Sequence, residues 1–221
     1  MNALQSSIIW LGMANLLGFG ISAIFSGKIK LSRRFFLLPY VILTSIFLYF
    51  YFESNSLISK EFWTHNWIYG LLAGLVIGLI LMKNILSQPY SQKNKGLMLF
   101  FDIIWLGVIY GVIDGLFLNV MPVKAVYIMF GTTTFGNSSI GVIIIGIFAL
   151  ISSLLITFLY HIGYKEFQNN SVMLVLLGNT LITLAFIISG NPLGAVISHT
   201  IMHIAAVFRG PDTTLQLPPH Y

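Results

Sequence analysis

Apolar runs of about twenty residues follow one another along almost the whole chain, and no other feature limits its folding as strongly. Seven can be drawn, over residues 4–25, 35–52, 67–86, 97–121, 139–162, 172–189 and 193–208. A helix rises about 1.5 Å per residue, so each run comes close to crossing a hydrocarbon layer of about 30 Å. Only 8% of the residues are charged, against roughly 25% in a typical soluble domain. None of the runs shows the ~10-residue alternation of a membrane-barrel strand. The chain therefore reads as all-α, a single polytopic membrane domain over 1–221 with a short cytoplasmic tail at 209–221. Residues 1–27 carry no charge, so the first run lacks the basic start of a signal peptide and is kept as a membrane helix.

The basic residues set the expected topology. An outside N-terminus puts Lys28, Lys30, Arg33, Arg34, Lys83, Lys93, Lys95, Lys165 and Arg209 in inside loops, and only Lys60 and Lys124 outside. That is nine against two of the 11 basic residues, a strong positive-inside bias. It predicts seven crossings, N-out and C-in, in a membrane of the bacterial cytoplasmic type. The scattered charges form no aromatic-basic stripe, so the net +5 does not point to nucleic acid. With no cysteine, disulfides, thiolate metal sites and thiol nucleophiles are excluded. Residues 122–138, apolar and then rich in Gly and Thr, are expected not to span, as a long loop, a re-entrant piece or an interfacial helix.

Ionisable groups at membrane depth are costly and mark function by default. His199 and His203 stand four residues apart in the last run, so both imidazoles share one helix face. Counting residues from the expected edges places Asp102, His161, Asn179, His199 and His203 together in the inner half. Asp114 lies 12 residues beyond Asp102, roughly 18 Å higher and turned by about 120°. It is expected instead in an outer cluster with Asn119 and Asn191, near His65 or Tyr69.

Histidine is a common metal ligand. His161, His199 and His203 supply three protein ligands, and three with one open position is the catalytic zinc pattern. Asp102 or Asp114 would then act as general base or as support to an imidazole. A greasy bundle suits an amide or ester in a lipid-like substrate. Haem held by His161 with His199 or His203 is a second chemistry. A proton or solute path through Asp114, Asn119, Asn179 and His199 is a third, and a receptor or scaffold with purely structural polar groups a fourth.

Seven helices with a His-x3-His pair in the last resemble the superfamily of intramembrane zinc hydrolases that includes alkaline ceramidases and adiponectin receptors. The resemblance implies that His199 and His203 hold zinc together with one earlier histidine, and that an aspartate acts near the bound water. The family places that histidine on an early helix, four residues after a serine. The first three runs here hold no histidine in their apolar parts, so His161 would have to substitute, and Asp102 or Asp114 would take the aspartate's place.

Overall fold

The computed structural model describes residues 2–131, 133, 138–210 and 217. All secondary structure among them is helical. Helix α1 spans Ala3–Lys28, its last turns π-helical, α2 spans Arg33–Ser54, α3 is the short Lys60–Thr64 and α4 spans Trp67–Leu86. Helix α5 spans Gly96–Phe130, α6 Ser139–Ile162, α7 Ser171–Ser189 and α8 Leu193–Arg209. Six of these are long and apolar enough to cross a membrane, and α8, at 17 residues, is a shorter apolar helix. The chain is thus a multi-pass membrane protein by the length and composition of its helices.

Six of the seven runs lie within a few residues of a helix, and the fourth does not. Residues 122–130, expected to leave the helix, continue it without a break, so α5 is 35 residues long. Pro122 does not end the helix, although a proline ring clashes with the preceding turn and has no N–H to give. Here the turns over Gly115–Val120 are π-helical, and their wider backbone makes room for the ring. Lys124, expected in an outer loop, lies on this helix with its ammonium 5.3 Å from the Phe62 ring centre. Most of 132–137 and of the tail, including His220, falls outside the described residues.

Helix α8 sits deep in the bundle because glycines on both neighbours let it in. On α4, Gly70, Gly74 and Gly78 recur every four residues and so line one face. A methyl group on them would lie 2.6 Å from Asn191, 2.8 Å from Ile197 and 2.7 Å from Ile201. On α5, Gly107, Gly111 and Gly115 do the same, and their methyls would meet Ile204 at 2.9 Å, Thr200 at 2.6 Å and Val196 at 2.9 Å. Lipid tails offer helices no hydrophobic incentive to associate, so small residues that bring backbones close carry much of the packing. The order of the contacts shows that α8 runs parallel to α4 and antiparallel to α5. Asn191 then fixes where α8 begins. Its amide donates to the carbonyls of Trp63, at 3.0 Å, and His65, at 2.6 Å, and its oxygen accepts the Leu193 N–H at 2.9 Å.

Candidate metal centre

Two of the three glycine contacts on α5, at Gly111 and Gly115, decide the site. Asp114 lies three residues after Gly111 and one before Gly115, so it shares the face of α5 that α8 covers. His199 and His203 flank Thr200, the residue that Gly111 touches. The carboxylate is thereby brought against both imidazoles. Asp114 Oδ2 stands 3.5 Å from His203 Nε2 and 3.9 Å from His199 Nε2. The two rings stack nearly parallel, 7° apart with centres separated by 5.1 Å. All three side chains are buried, and their donor atoms lie within 4.8 Å of one another.

These residues fit a divalent cation. Bonds of about 2.0–2.2 Å in a tetrahedral site set donor atoms roughly 3.3–3.6 Å apart; the Asp114–His203 pair already stands there, and the others, all within 4.8 Å, would draw in around an ion. Neither nitrogen of His203 has a hydrogen-bond partner among the described residues. The 3.5 Å approach of its Nε2 to Asp114 is an ion-pair distance and not a hydrogen bond. A buried imidazole without partners forfeits its solvation for nothing in return, and ligation is one use that explains it. The other carboxylate oxygen is already occupied, because the Tyr40 hydroxyl donates to Asp114 Oδ1. Oδ2 is the corner turned toward the histidines. Holding a ligand's far atom in this way is how surrounding residues orient metal sites.

Asp114 is therefore the partner of the histidine pair that residue counting had placed elsewhere. The count took α5 to end near residue 121, which moved Asp114 toward the outer edge. In the full Gly96–Phe130 helix it falls at the middle. Asn119, expected in the same outer cluster, joins the site too: His199 Nδ1 and Asn119 Oδ1 are 3.1 Å apart. Asn191 alone of that cluster meets His65, through the backbone.

Asp102, the other catalytic candidate, takes no part. It lies at the end of the bundle where Arg34 grips it with two hydrogen bonds of 2.7 and 2.9 Å and Asn94 adds a third of 2.6 Å. His161, expected as the third metal ligand, stands outside the three-residue cluster. Its Nδ1 donates to the Thr157 carbonyl at 2.7 Å, and its ring packs on Tyr160 and Phe167. It does line the same cavity as Asp114, His199 and His203. Asn179 belongs with the cluster as expected from its depth, hydrogen-bonded to Asn119 at 2.8 Å.

That cavity holds about 540 Å³. Its inner wall carries the cluster and the Tyr110 ring, whose centre is 4.5 Å from that of His203. Its outer wall includes Ile80 on α4 and Leu174 and Leu177 on α7, each more than half exposed on the apolar surface. The space therefore opens sideways between α4 and α7. Asn84 in the last turn of α4 and Ser87 and Gln88 just after it give the cavity a polar edge, and the buried Leu217 reaches the lining from the tail.

The sequence did not single out Tyr40, Ser153 or Thr183. The signal that would have found Asp114 was present in it. Glycines every four residues on two helices identify the faces that α8 covers, and Asp114 is on one of them. Compared with protein-family models, with curated proteins and with solved structures, the chain matches none.

Proposed function

We propose that the protein crosses the membrane seven times, N-out and C-in, and is a metal-dependent intramembrane hydrolase acting on a lipid-like amide or ester. The observation that carries this reading is the convergence of Asp114 Oδ2 and the two imidazoles within 4.8 Å at the wall of a sideways-opening cavity. Zinc, or another divalent ion that accepts nitrogen and oxygen donors, suits this set. When bound, the ion would serve as a Lewis acid toward a carbonyl and sharpen the acidity of a water beside it. Asp114, His199 and His203 would hold it, and Tyr40 keeps the carboxylate turned so that one oxygen is offered. This departs from the ligand set that the ceramidase-like resemblance implied, with Asp114 in place of a third histidine.

Substrate class follows from the cavity. An amphiphile reaches it between α4 and α7 without leaving the hydrocarbon, its chain along Ile80, Leu174 and Leu177 and its polar group toward Asn84 and Gln88. The apolar walls keep bulk water from the reacting bond. Seven crossings are supported by the direction of α8. Alternate passes force the third and seventh helices to run parallel and the fourth to oppose both, as the glycine contacts have it.

Elemental analysis of the purified protein tests the reading, with near-stoichiometric zinc or another divalent metal expected and chelator-sensitive release of fatty acid from a lipid amide or ester in mixed micelles. Protein that takes up no divalent metal overturns it. Liposome flux abolished in Asp114→Asn, without hydrolysis, would support the solute-path reading instead.

A further inference from the structure

We propose that Ser153, Asn179 and Asn119 are positioning residues that fix which nitrogen of His199 carries its proton, leaving Nε2 as a lone pair toward Asp114. The inference deepens the metal-site reading and rests on it for its purpose, but not for its test.

The carbonyl of Leu118 lies in the π-helical turns just before Pro122. The Ser153 hydroxyl on α6 donates to it, 2.6 Å away. A carbonyl only accepts, so the single hydroxyl proton of Ser153 goes there, and in its 2.8 Å contact with Thr183 Oγ1 it is the threonine that donates. Ser153 Oγ must then receive the Asn179 amide N–H, at 3.1 Å. That assigns the two ends of the Asn179 amide, whose identities the hydrogen bonds alone decide. Its oxygen accepts from Asn119 Nδ2 at 2.8 Å, and the second N–H of Asn119 goes to Thr183 Oγ1, also at 2.8 Å.

Both protons of the Asn119 amide are now used, so the atom facing His199 is its oxygen. That oxygen, 3.1 Å from Nδ1, can only accept. His199 therefore holds its proton on Nδ1, and the lone pair lies on Nε2, the nitrogen 3.9 Å from Asp114 Oδ2. Ser153, Thr183 and Asn119 have no exposed surface, so water offers the bonds between them no alternative direction. A reversed chain would place an N–H where a cation needs a donor of electrons.

The test is nitrogen-15 NMR of histidine-labelled, metal-free protein at a pH where imidazoles are neutral, with the His199 signals identified by their loss in His199→Gln. The expected spectrum has a protonated Nδ1 and a bare Nε2. Ser153→Ala, three hydrogen bonds from the ring, is expected to mix the two tautomers and weaken zinc binding by roughly 10- to 100-fold. Ser153→Thr, which keeps the hydroxyl, is expected to restore both. Asn119→Leu gives the same loss by removing the acceptor, should Ser153→Ala not fold. A proton on Nε2 in the wild type, or a tautomer unmoved by Ser153→Ala and Asn119→Leu alike, overturns the proposal. Failure of the metal reading would show as absent zinc binding with the tautomer as expected.

Discussion

Two buried aspartates stand on α5, and their surroundings differ in kind. Asp102 has its charge matched. Arg34 meets both oxygens, Asn94 adds a donor, and the Arg34 side chain is 38% exposed where Asp102 is 5%. A planar guanidinium on a carboxylate is a strong, self-sufficient pairing. Among the described residues Asp114 has no lysine or arginine beside it. It faces the hydroxyls of Tyr40 and Tyr110 and two imidazoles. A carboxylate answered in full is a brace, whereas one with an oxygen turned toward unpartnered nitrogens can still take something up.

The largest effect expected from this contrast is on metal binding. Asp114→Asn keeps size and shape, and the Tyr40 hydroxyl selects the amide oxygen. The NH2 then faces His199 and His203, where it offers no lone pair. Loss of a ligand should exceed the 10- to 100-fold that supporting residues cost, so zinc affinity by titration calorimetry should fall more than ~100-fold, about 2.7 kcal/mol. Asp102→Asn should leave affinity unchanged. Equal losses from both would erase the distinction between the aspartates.

The next effect concerns how Asp114 reaches the histidines. A methyl on Gly111 would lie 2.6 Å from the Thr200 Cα, which is backbone and cannot turn aside. Gly111→Ala should destabilise by about 1–3 kcal/mol, as overpacking does, and weaken zinc binding by moving α8. Gly12 on α1 has nothing within 4 Å of such a methyl, so Gly12→Ala should stay within ~0.5 kcal/mol. Thermal melts in one detergent compare the pair directly.

The same two helices explain what the sequence could and could not disclose. Helix positions were legible because membrane spans need long apolar runs, and six of the seven were bounded to within a few residues. The His199/His203 pair was legible because i and i+4 share a face whatever the fold. Asp114 was misplaced because depth was counted from a helix end at residue 121. Only the π-helical turns of Gly115–Val120, a tertiary adjustment, let α5 run on. His161 was assigned by depth alone, and depth says nothing of rotation about the helix axis. Its Nδ1 is engaged with the turn behind it, and its helix supplies no ligand to the cluster. The Ser153–Asn179–Asn119 chain joins three helices and had no local signature.

Breaking the brace itself should cost less than crowding α8. Arg34→Leu leaves Asp102 with Asn94 alone. Unpairing a fully buried ion pair costs about 3–5 kcal/mol, but Arg34 is more than a third exposed, and solvent already screens much of that interaction. A loss of about 1–2 kcal/mol in a denaturation midpoint is expected, with zinc content intact. Loss of bound zinc in Arg34→Leu would mean that the two ends of α5 are coupled.

The smallest effect separates the brace from its own support. The Trp105 indole N–H donates to the Arg34 carbonyl at 3.0 Å, tying α5 to the first turn of α2 beside the ion pair. Trp105→Phe keeps an aromatic ring against Phe101, with which it stacks, and removes only the donor. One hydrogen bond is worth about 0.5–1.5 kcal/mol net. The freed carbonyl lies in the first turn of α2, where its own helix provides an N–H four residues on, so the lower end of that range is expected. Measured in the Arg34→Leu background, the same change should cost even less if the indole acts by holding Arg34 in place. If it acts by joining α5 to α2 directly, the two losses should add, because independent contacts do.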